Sequence, residues 1–578
     1  MMPPMPPCQS DPSDLRGLPL PSKPAFLPSL LAGAALLAAL AWGAASRAAG
    51  SATPSVPERR LTVFYTAEAH GTLEPCGCTS DPLGDIARYA ELVRRASKQG
   101  AVALLDGGGL SFPETSTAKE KAPDQLRAKL LADELPRLGP FAAGLAETDV
   151  RAGTAVAPPR LAVNLGAGPG SMNAPSVAPS RLETWGGIKV GVFGVADPAL
   201  GATLGLKAED PVAAGRREAE RLRKAGAEIV IALAPIEKPA ARRLAREAPV
   251  DFVLLGRQVG KGQARAERAG NGYLVAPADE LQKVGRIDLV WRGSGPLVDA
   301  GGPEAAALRR VEIDKAVSRL DEELKSWSTA GGGDAAFIAA RRAERETLLG
   351  ERKSLEAPWQ PPAGSYFTNQ LIPVRRSLPR DPKIAAGMRR LDGQIAAINL
   401  RNAVAPPPPE PGRPYYVGDA KCVSCHKAAL AFWKKTVHAS AWKTLVEVGK
   451  QDDYKCVSCH VTGYGQVGGS SLGHTDRLRD VQCEVCHGPG SAHVAAEGLE
   501  EPLAVSAGTP ASTCTTCHTE QHSDTFQYEA YLRDILGPGH GAAARKKLGD
   551  GPTGHTLRSN ALARAKQAGK AQVGVSGG

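Results

Sequence analysis

Short apolar runs alternate with amphipathic stretches from residue 61 to 292. The runs 61–66, 101–105, 161–165, 188–195, 228–234, 251–255 and 284–291 predict strands, while 85–98, 122–135 and 211–225 carry helical spacing. Near-continuous apolar strands separated by helices imply a sheet covered on both faces, so an α/β domain is expected over residues 50–300. Beyond it, charged and apolar residues recur at helical spacing through 303–327 and 334–355, with Gly331-Gly332-Gly333 between. The glycine run predicts an antiparallel pair of long helices. An extended piece (365–374) and a helix (382–400) follow, so residues 301–402 read as a helical hairpin and connector. The stretch AVAPPPPEPGRPYY at 403–416 is stiff and extended, and a linker is expected at 403–414.

An uncharged run at 25–45, AFLPSLLAGAALLAALAWGAA, follows Arg16 and Lys23 and precedes Ser46-Arg47-Ala48. Residues 1–49 are expected to be an export signal, or an N-terminal anchor if uncleaved, because the run is about long enough for a ~30 Å bilayer. Cys8 precedes this run and is not placed for lipid attachment after it. A periplasmic or otherwise extracytoplasmic location follows, with membrane anchoring through 25–45 as the second possibility.

Composition narrows the rest. The chain has 578 residues, 42% hydrophobic and 22% charged, which is globular and multidomain in character and excludes a disordered or multi-span chain. The net charge of +10 is concentrated late: seven Lys/Arg stand against Asp550 between Ala544 and Lys570. Such a segment reads as a solvated basic tail, residues 541–578, and no nucleic-acid partner is expected.

Eight of the eleven cysteines form four Cys-x-x-Cys-His motifs after the spacer: Cys422/Cys425/His426, Cys456/Cys459/His460, Cys483/Cys486/His487 and Cys514/Cys517/His518. Two thiols at this spacing can each add to a vinyl group of one haem, and the following imidazole can reach the iron. Paired zinc ribbons would use the same thiols but do not explain a histidine after every pair. Four covalently attached haems c are therefore expected. All five methionines lie before the spacer, which leaves histidine to complete the iron coordination. The candidates outside the motifs are His438, His474, His493, His522, His540 and His555. His474 and His555 stand in Gly-rich polar sequence and read as surface residues. With few aliphatic side chains in this segment, the haems are expected to form most of its core, leaving the haem-free form unfolded.

Residues 415–540 resemble the tetrahaem cytochrome c family that accepts electrons from hydroxylamine oxidoreductase. The resemblance runs through YYVGDAKCVSCHKAALAFWKKTVHASAW, CVSCHVTGYGQVGG, VQCEVCHGPGSAHV and CTTCHTEQHSDTFQY. It implies a mostly helical fold around closely stacked haems that pass electrons. By position it makes His438, His493 and His540 distal ligands, and it points to the haem of Cys456–His460 as the one lacking a sixth ligand. Residues 61–292 resemble the exported 5′-nucleotidase type of metallophosphatase. Glu68 stands in the metal aspartate's place in Thr66-Ala67-Glu68-Ala69-His70-Gly71, and Asp106-Gly107-Gly108-Gly109 lacks the second, metal-bridging acid. Gly144-Leu145-Ala146-Glu147 and Gly256-Arg257-Gln258-Val259 replace the family's two histidine motifs. His70 is the one histidine before the cytochrome segment, so two-metal hydrolysis is expected to be lost. Cys76-Gly77-Cys78, a pair also found in a variant branch of that family, is open to three readings: a reducible disulfide, a metal pair with His70 and Glu68, or an exposed loop without a catalytic purpose.

The expected architecture is thus an α/β metallophosphatase-like sandwich, a helical hairpin and a mostly helical multihaem cytochrome c domain. The expected role is electron transfer with a periplasmic oxidoreductase or membrane quinol oxidase as partner. Oxidoreduction of a small nitrogen or sulfur species at an open haem, and residual phosphoesterase activity, are the alternatives.

Overall fold

The computed structural model describes residues 58–151, 160–166, 177–293, 295–330, 334–499 and 510–575. The apolar run 25–45, Cys8 and the glycines 331–333 lie outside these. Among the described residues, no helix is long and apolar enough to cross a membrane.

Two sheets carry the amino-terminal domain. The first has the order Val298–Asp299, Tyr366–Pro373, Lys283–Trp291, Arg59–Thr66, Val102–Asp106, Phe141–Gly144, Arg160–Leu161, Val177–Ala178. The second runs Glu267–Ala269, Gly272–Val275, Phe252–Leu255, Ile229–Ala234, Ile188–Gly194, Ser180–Trp185. Their facing side chains, among them Val63, Leu105, Val190, Ile231, Leu254 and Phe367, form one buried cluster between the sheets. Helices Ile86–Ser97 and Lys121–Glu134 cover the outer face of the first sheet, with Pro211–Lys224 and Lys238–Glu247 over the second. The result is the expected α/β sandwich.

The domain does not end near residue 300. Strand Tyr366–Pro373 pairs antiparallel with Lys283–Trp291 inside the first sheet. Tyr65 lies over Gly285, where a Cβ would overlap its ring, and its hydroxyl donates to Asn369 at 2.7 Å. Helix Pro382–Arg401 adds Ile384, Met388, Leu391 and Ile395 to the core around Tyr89 and Leu131. The connector expected over 301–402 is thus corrected: its second half belongs to the sandwich, and the hairpin is an insertion. Helices Gly302–Ala330 and Ala335–Ser354 form that hairpin, tied by Arg309–Glu351, Asp314–Arg352 and Asp321–Arg345 ion pairs and by Trp327 against Phe337.

The spacer rests on the Gly-rich loop of the next domain, where Gly468 N–H donates to Pro407 at 2.7 Å and the Ser471 hydroxyl to Val404 at 2.6 Å. That domain consists of short helices joined by turns, with Val457, Val461 and Leu472 as its small aliphatic cluster. The basic tail is also corrected. Gly554–Val575 is a helix that buries Ala561, and Gln572 donates to the Pro373 carbonyl at 2.6 Å. Arg564, Lys566 and Lys570 occupy the exposed face of this helix.

Candidate haem-binding site and the adjoining Cys-Gly-Cys loop

Each Cys-x-x-Cys-His motif lies on a helical turn. Cys483–His487 is itself a helix; Tyr454–Val457 and Ala511–Thr515 lead into the second and fourth motifs; and His426 N–H bonds back to Cys422 C=O at 2.9 Å before helix Lys427–Trp433. Positions i, i+3 and i+4 share one helix face, so both thiols and the imidazole point the same way. The thiols of Cys422 and Cys483 lie beside each other, as do those of Cys459 and Cys517. The first and third motifs are therefore neighbours, and so are the second and fourth.

Cys425 is exposed, whereas Cys422 and the six cysteines of the other three motifs are half-buried. His426 is exposed beside it. The turn Asp419–Lys421 before the motif and helix Lys427–Trp433 after it contain no buried residue. The Cys425 sulfur has the Ser424 hydroxyl 3.8 Å away.

Three motif histidines face a histidine from elsewhere. His426 and His493 have ring centres 6.0 Å apart, His487 and His540 6.0 Å, and His518 and His438 6.2 Å. Two imidazoles trans on one metal, each bonded through nitrogen at ~2 Å, place their centres about 6 Å apart. The separations of the three pairs are compatible with one iron between each, and the donor set fits haem. Burial pushes His438 down to about 4, with His518 adding to the effect, and burial also lowers His518 and His487. Neutral imidazole is the ligating form. Nδ1 of His540 donates to the Ile535 carbonyl at 2.7 Å, which leaves Nε2 free for metal. The His518 ring stacks on Phe526 at 4.9 Å.

His460 differs. Its Nδ1 donates to Ala441 C=O at 2.6 Å, again freeing Nε2, and His522 is the other histidine near Cys459 of this motif. His474 and His555 are exposed, and His522 bonds to Thr519 at 2.7 Å.

Polar groups hold this domain where aliphatics are scarce. The buried Glu484 accepts backbone N–H bonds from Val417, Gly418 and Gly490 at 2.7–3.1 Å, and Gln482 ties Asp419 to Arg477 and Arg479. Sequence reasoning passed over Glu484 because it is one of the variable positions inside a motif.

In the amino-terminal domain the nucleotidase-like segments converge at one end of the sheets. The Glu68 carboxylate accepts N–H bonds from Gln258 and Val259 at 2.9 and 2.8 Å. Asp106 accepts from Thr66 Oγ1 and Gly108 N–H, and burial pushes it up to about 7. Asp149 accepts from Gly109, Ser111 and Ala146, and pairs with Arg160 at 3.2 Å. The acids there are engaged by protein donors and a guanidinium. A Cβ at Gly256 would overlap the Gly107 carbonyl, so the strand ends meet backbone to backbone. His70 Nδ1 is buried without a partner, and no described group of three or more His, Cys, Asp or Glu is arranged to hold a metal ion.

The Cys-Gly-Cys loop lies against the cytochrome domain. Cys76 and Cys78 have their sulfurs 2.8 Å apart. Hydrogen bonding from Cys78 holds Cys76 down to about 6 and raises Cys78. His522 and His460 are neighbours of Cys76, and the Cys456 thiol is a neighbour of Cys78.

Residues 421–488, which hold the first three motifs, match the family described as cytochrome c554 and c-prime. Cytochrome c-554 of Nitrosomonas europaea is 40% identical over 91 residues, covering 13% of this chain and 39% of that protein's length. The sandwich is similar to a 5′-nucleotidase precursor from Thermus thermophilus (TM-score 0.40, 14% identity, 60% of this chain and 61% of that one). It is also similar to the calcineurin-like phosphoesterase YfkN from Bacillus subtilis (TM-score 0.32, 18% identity, 42% and 87%).

Proposed function

We propose that this protein is an exported tetrahaem electron carrier whose sandwich domain serves as a docking module. Four haems c would be attached through Cys422/Cys425, Cys456/Cys459, Cys483/Cys486 and Cys514/Cys517. The pairs His426–His493, His487–His540 and His518–His438 would each hold one iron, and His460 the fourth from one side. The observation that carries this reading is the set of three imidazole pairs, each joining one motif histidine to one distant histidine at 6.0–6.2 Å. Haem would supply reversible one-electron chemistry at low potential, since imidazole replaces thioether sulfur as ligand. The protein contributes ligation, orientation and exclusion of water. The neighbouring thiols of the first and third motifs, and of the second and fourth, support short routes between haems. Export rests on the apolar run at 25–45, and the partner class is a periplasmic oxidoreductase or membrane quinol oxidase.

The second reading is an oxidoreductase acting on a small nitrogen or sulfur species at the haem of His460. It is favoured by the described histidine ring contacts, which pair His426, His487 and His518 with distant histidines and include none for His460. Both readings are tested on full-length protein from a host that matures c-type haem. Peptide mass spectrometry should find haem on all four motifs, and electron paramagnetic resonance should give three low-spin sites and one high-spin site. Four low-spin sites remove the second reading; turnover of nitrite or hydroxylamine promotes it. A motif without haem overturns the tetrahaem assignment.

A further inference from the structure

Residues 74–80 of the sandwich domain are clasped on both sides of Cys76-Gly77-Cys78 by the cytochrome segment. Ahead of the pair, Glu74 binds Lys450 at 2.8 Å, and Lys450 also binds Asp392 at 2.7 Å. Lys450 opens the short segment that leads into Cys456. The same segment is anchored by Arg127–Asp453 at 3.2 Å and by the Asn399 amide on Asp452 C=O at 2.7 Å. Behind the pair, Ser80 N–H donates to Asp524 at 3.1 Å and its hydroxyl bonds the same carboxylate, while Arg558 of the terminal helix donates to Thr79 C=O at 3.4 Å. Asp524 follows His522 closely. The two sulfurs are therefore held between the segment entering the second motif and the segment leaving the fourth. This agrees with the electrostatic neighbours of the pair: His460, His522 and Cys456.

We propose that Cys76 and Cys78 form a dithiol–disulfide couple that exchanges electrons with the haem held at Cys456, Cys459 and His460. The inference rests on the haem assignment made above. Three observations carry it. The sulfurs are 2.8 Å apart and need close only to ~2.05 Å to bond. The loop is clasped between the segment entering the second motif, at Lys450, and the segment leaving the fourth, at Asp524. Cys459 also adjoins Cys517 of the fourth motif, so a second haem stands next to the first.

That second haem matters for the electron count. Reduction of the couple breaks one S–S bond and forms two S–H bonds. It consumes two protons from solvent and two electrons, delivered singly as two haems pass from ferrous to ferric. Oxidation is the reverse, with two ferric haems as acceptors. The loop thereby joins one-electron haem chemistry to two-electron sulfur chemistry within a single chain.

The test is a coulometric titration of the oxidised holoprotein under argon with methyl viologen as mediator. Aliquots are alkylated and the peptide containing Cys76 and Cys78 is followed by mass spectrometry. The wild type should take up six electrons per chain, four for haem and two for the disulfide. Alkylation at Cys76 and Cys78 should appear as the haem bands change, at a rate independent of mediator concentration. The variant carrying both Cys76→Ser and Cys78→Ser should take up four electrons with haem content unchanged. Four electrons in the wild type, an alkylation state that does not change across the titration, or a thiol rate proportional to mediator overturns the proposal. Haem attachment at Cys456 and Cys459 is read from the same digests. If haem is present there and the sulfurs are uncoupled, this inference alone falls; if haem is absent there, the tetrahaem reading falls with it.

Discussion

His438 and His518 stand with ring centres 6.2 Å apart and planes inclined by 48°, although eighty positions of sequence separate them. His438 reaches this place in the short 3₁₀ turn Val437–Ser440, while His518 follows helix Ala511–Thr515 and is backed by Phe526 and Tyr531. Removal of the first ring should therefore free one coordination position without releasing the haem, which remains bonded through Cys514 and Cys517. We expect His438→Ala to keep all four haems by mass, to convert one low-spin signal into a high-spin one, and to bind one more equivalent of carbon monoxide than the wild type when reduced. His438→Met should restore the low-spin signal and raise that haem's midpoint potential.

The motifs were legible because their chemistry is local: two thiols and an imidazole on one turn need no tertiary contact. Which distant histidine meets which motif was not legible, since His493, His540 and His438 reach His426, His487 and His518 through folding. Nor was the exposure of Cys425, which depends on what packs around the turn rather than on the motif itself. The sandwich divided along similar lines. Ile229–Ala234, apolar throughout and flanked by amphipathic helices, announces itself as a buried strand. Phe141–Gly144 was missed because Phe-Ala-Ala-Gly has no β-branched residue and becomes a strand by lying beside Val102–Asp106. Tyr366–Pro373 reads as extended, but its place in the first sheet depends on pairing Val284 with Ile372 across the hairpin insertion. The terminal helix passed for a solvated tail because its buried face is made of small side chains such as Ala561, which give little hydrophobic signal against many Lys and Arg residues.

Haem removal should divide the molecule into two halves of different stability. The sandwich has three large buried clusters, whereas the cytochrome segment has Val457, Val461 and Leu472 and a set of polar bridges. We expect protein from a host without haem maturation to show α/β circular dichroism from the sandwich, with rapid proteolysis after the spacer at 403–414. Equal protease resistance of haem-loaded and haem-free chains would contradict the view that haem is the core of that region.

Lys450 is held between Glu74 and Asp392, and the two carboxylates raise its pKa despite burial. Lys450→Met leaves two acids facing each other where the domains meet. With the partners about one-third exposed, we expect a loss of about 1–3 kcal/mol, less than for a fully buried pair. Chemical unfolding measures the loss, and cleavage at 403–414 should accelerate in parallel. Lys450→Arg, which keeps the charge, should lose much less.

Asp106 supplies a pH dependence whose sign follows from its environment. Burial at the end of its strand pushes the folded carboxyl up to about 7, against ~3.9 for an unfolded aspartate. Between these values the folded chain holds a proton that the unfolded chain has released, so this group's contribution to stability falls as pH rises from ~4 to ~7 and then levels off. Asp106→Asn keeps a carbonyl oxygen for the Gly108 N–H and removes the titration. We therefore expect the variant to gain on the wild type as pH is raised. The denaturant midpoint of the sandwich should change less between pH 5 and pH 8 in the variant than in the wild type, and parallel profiles for the two proteins would contradict the assignment.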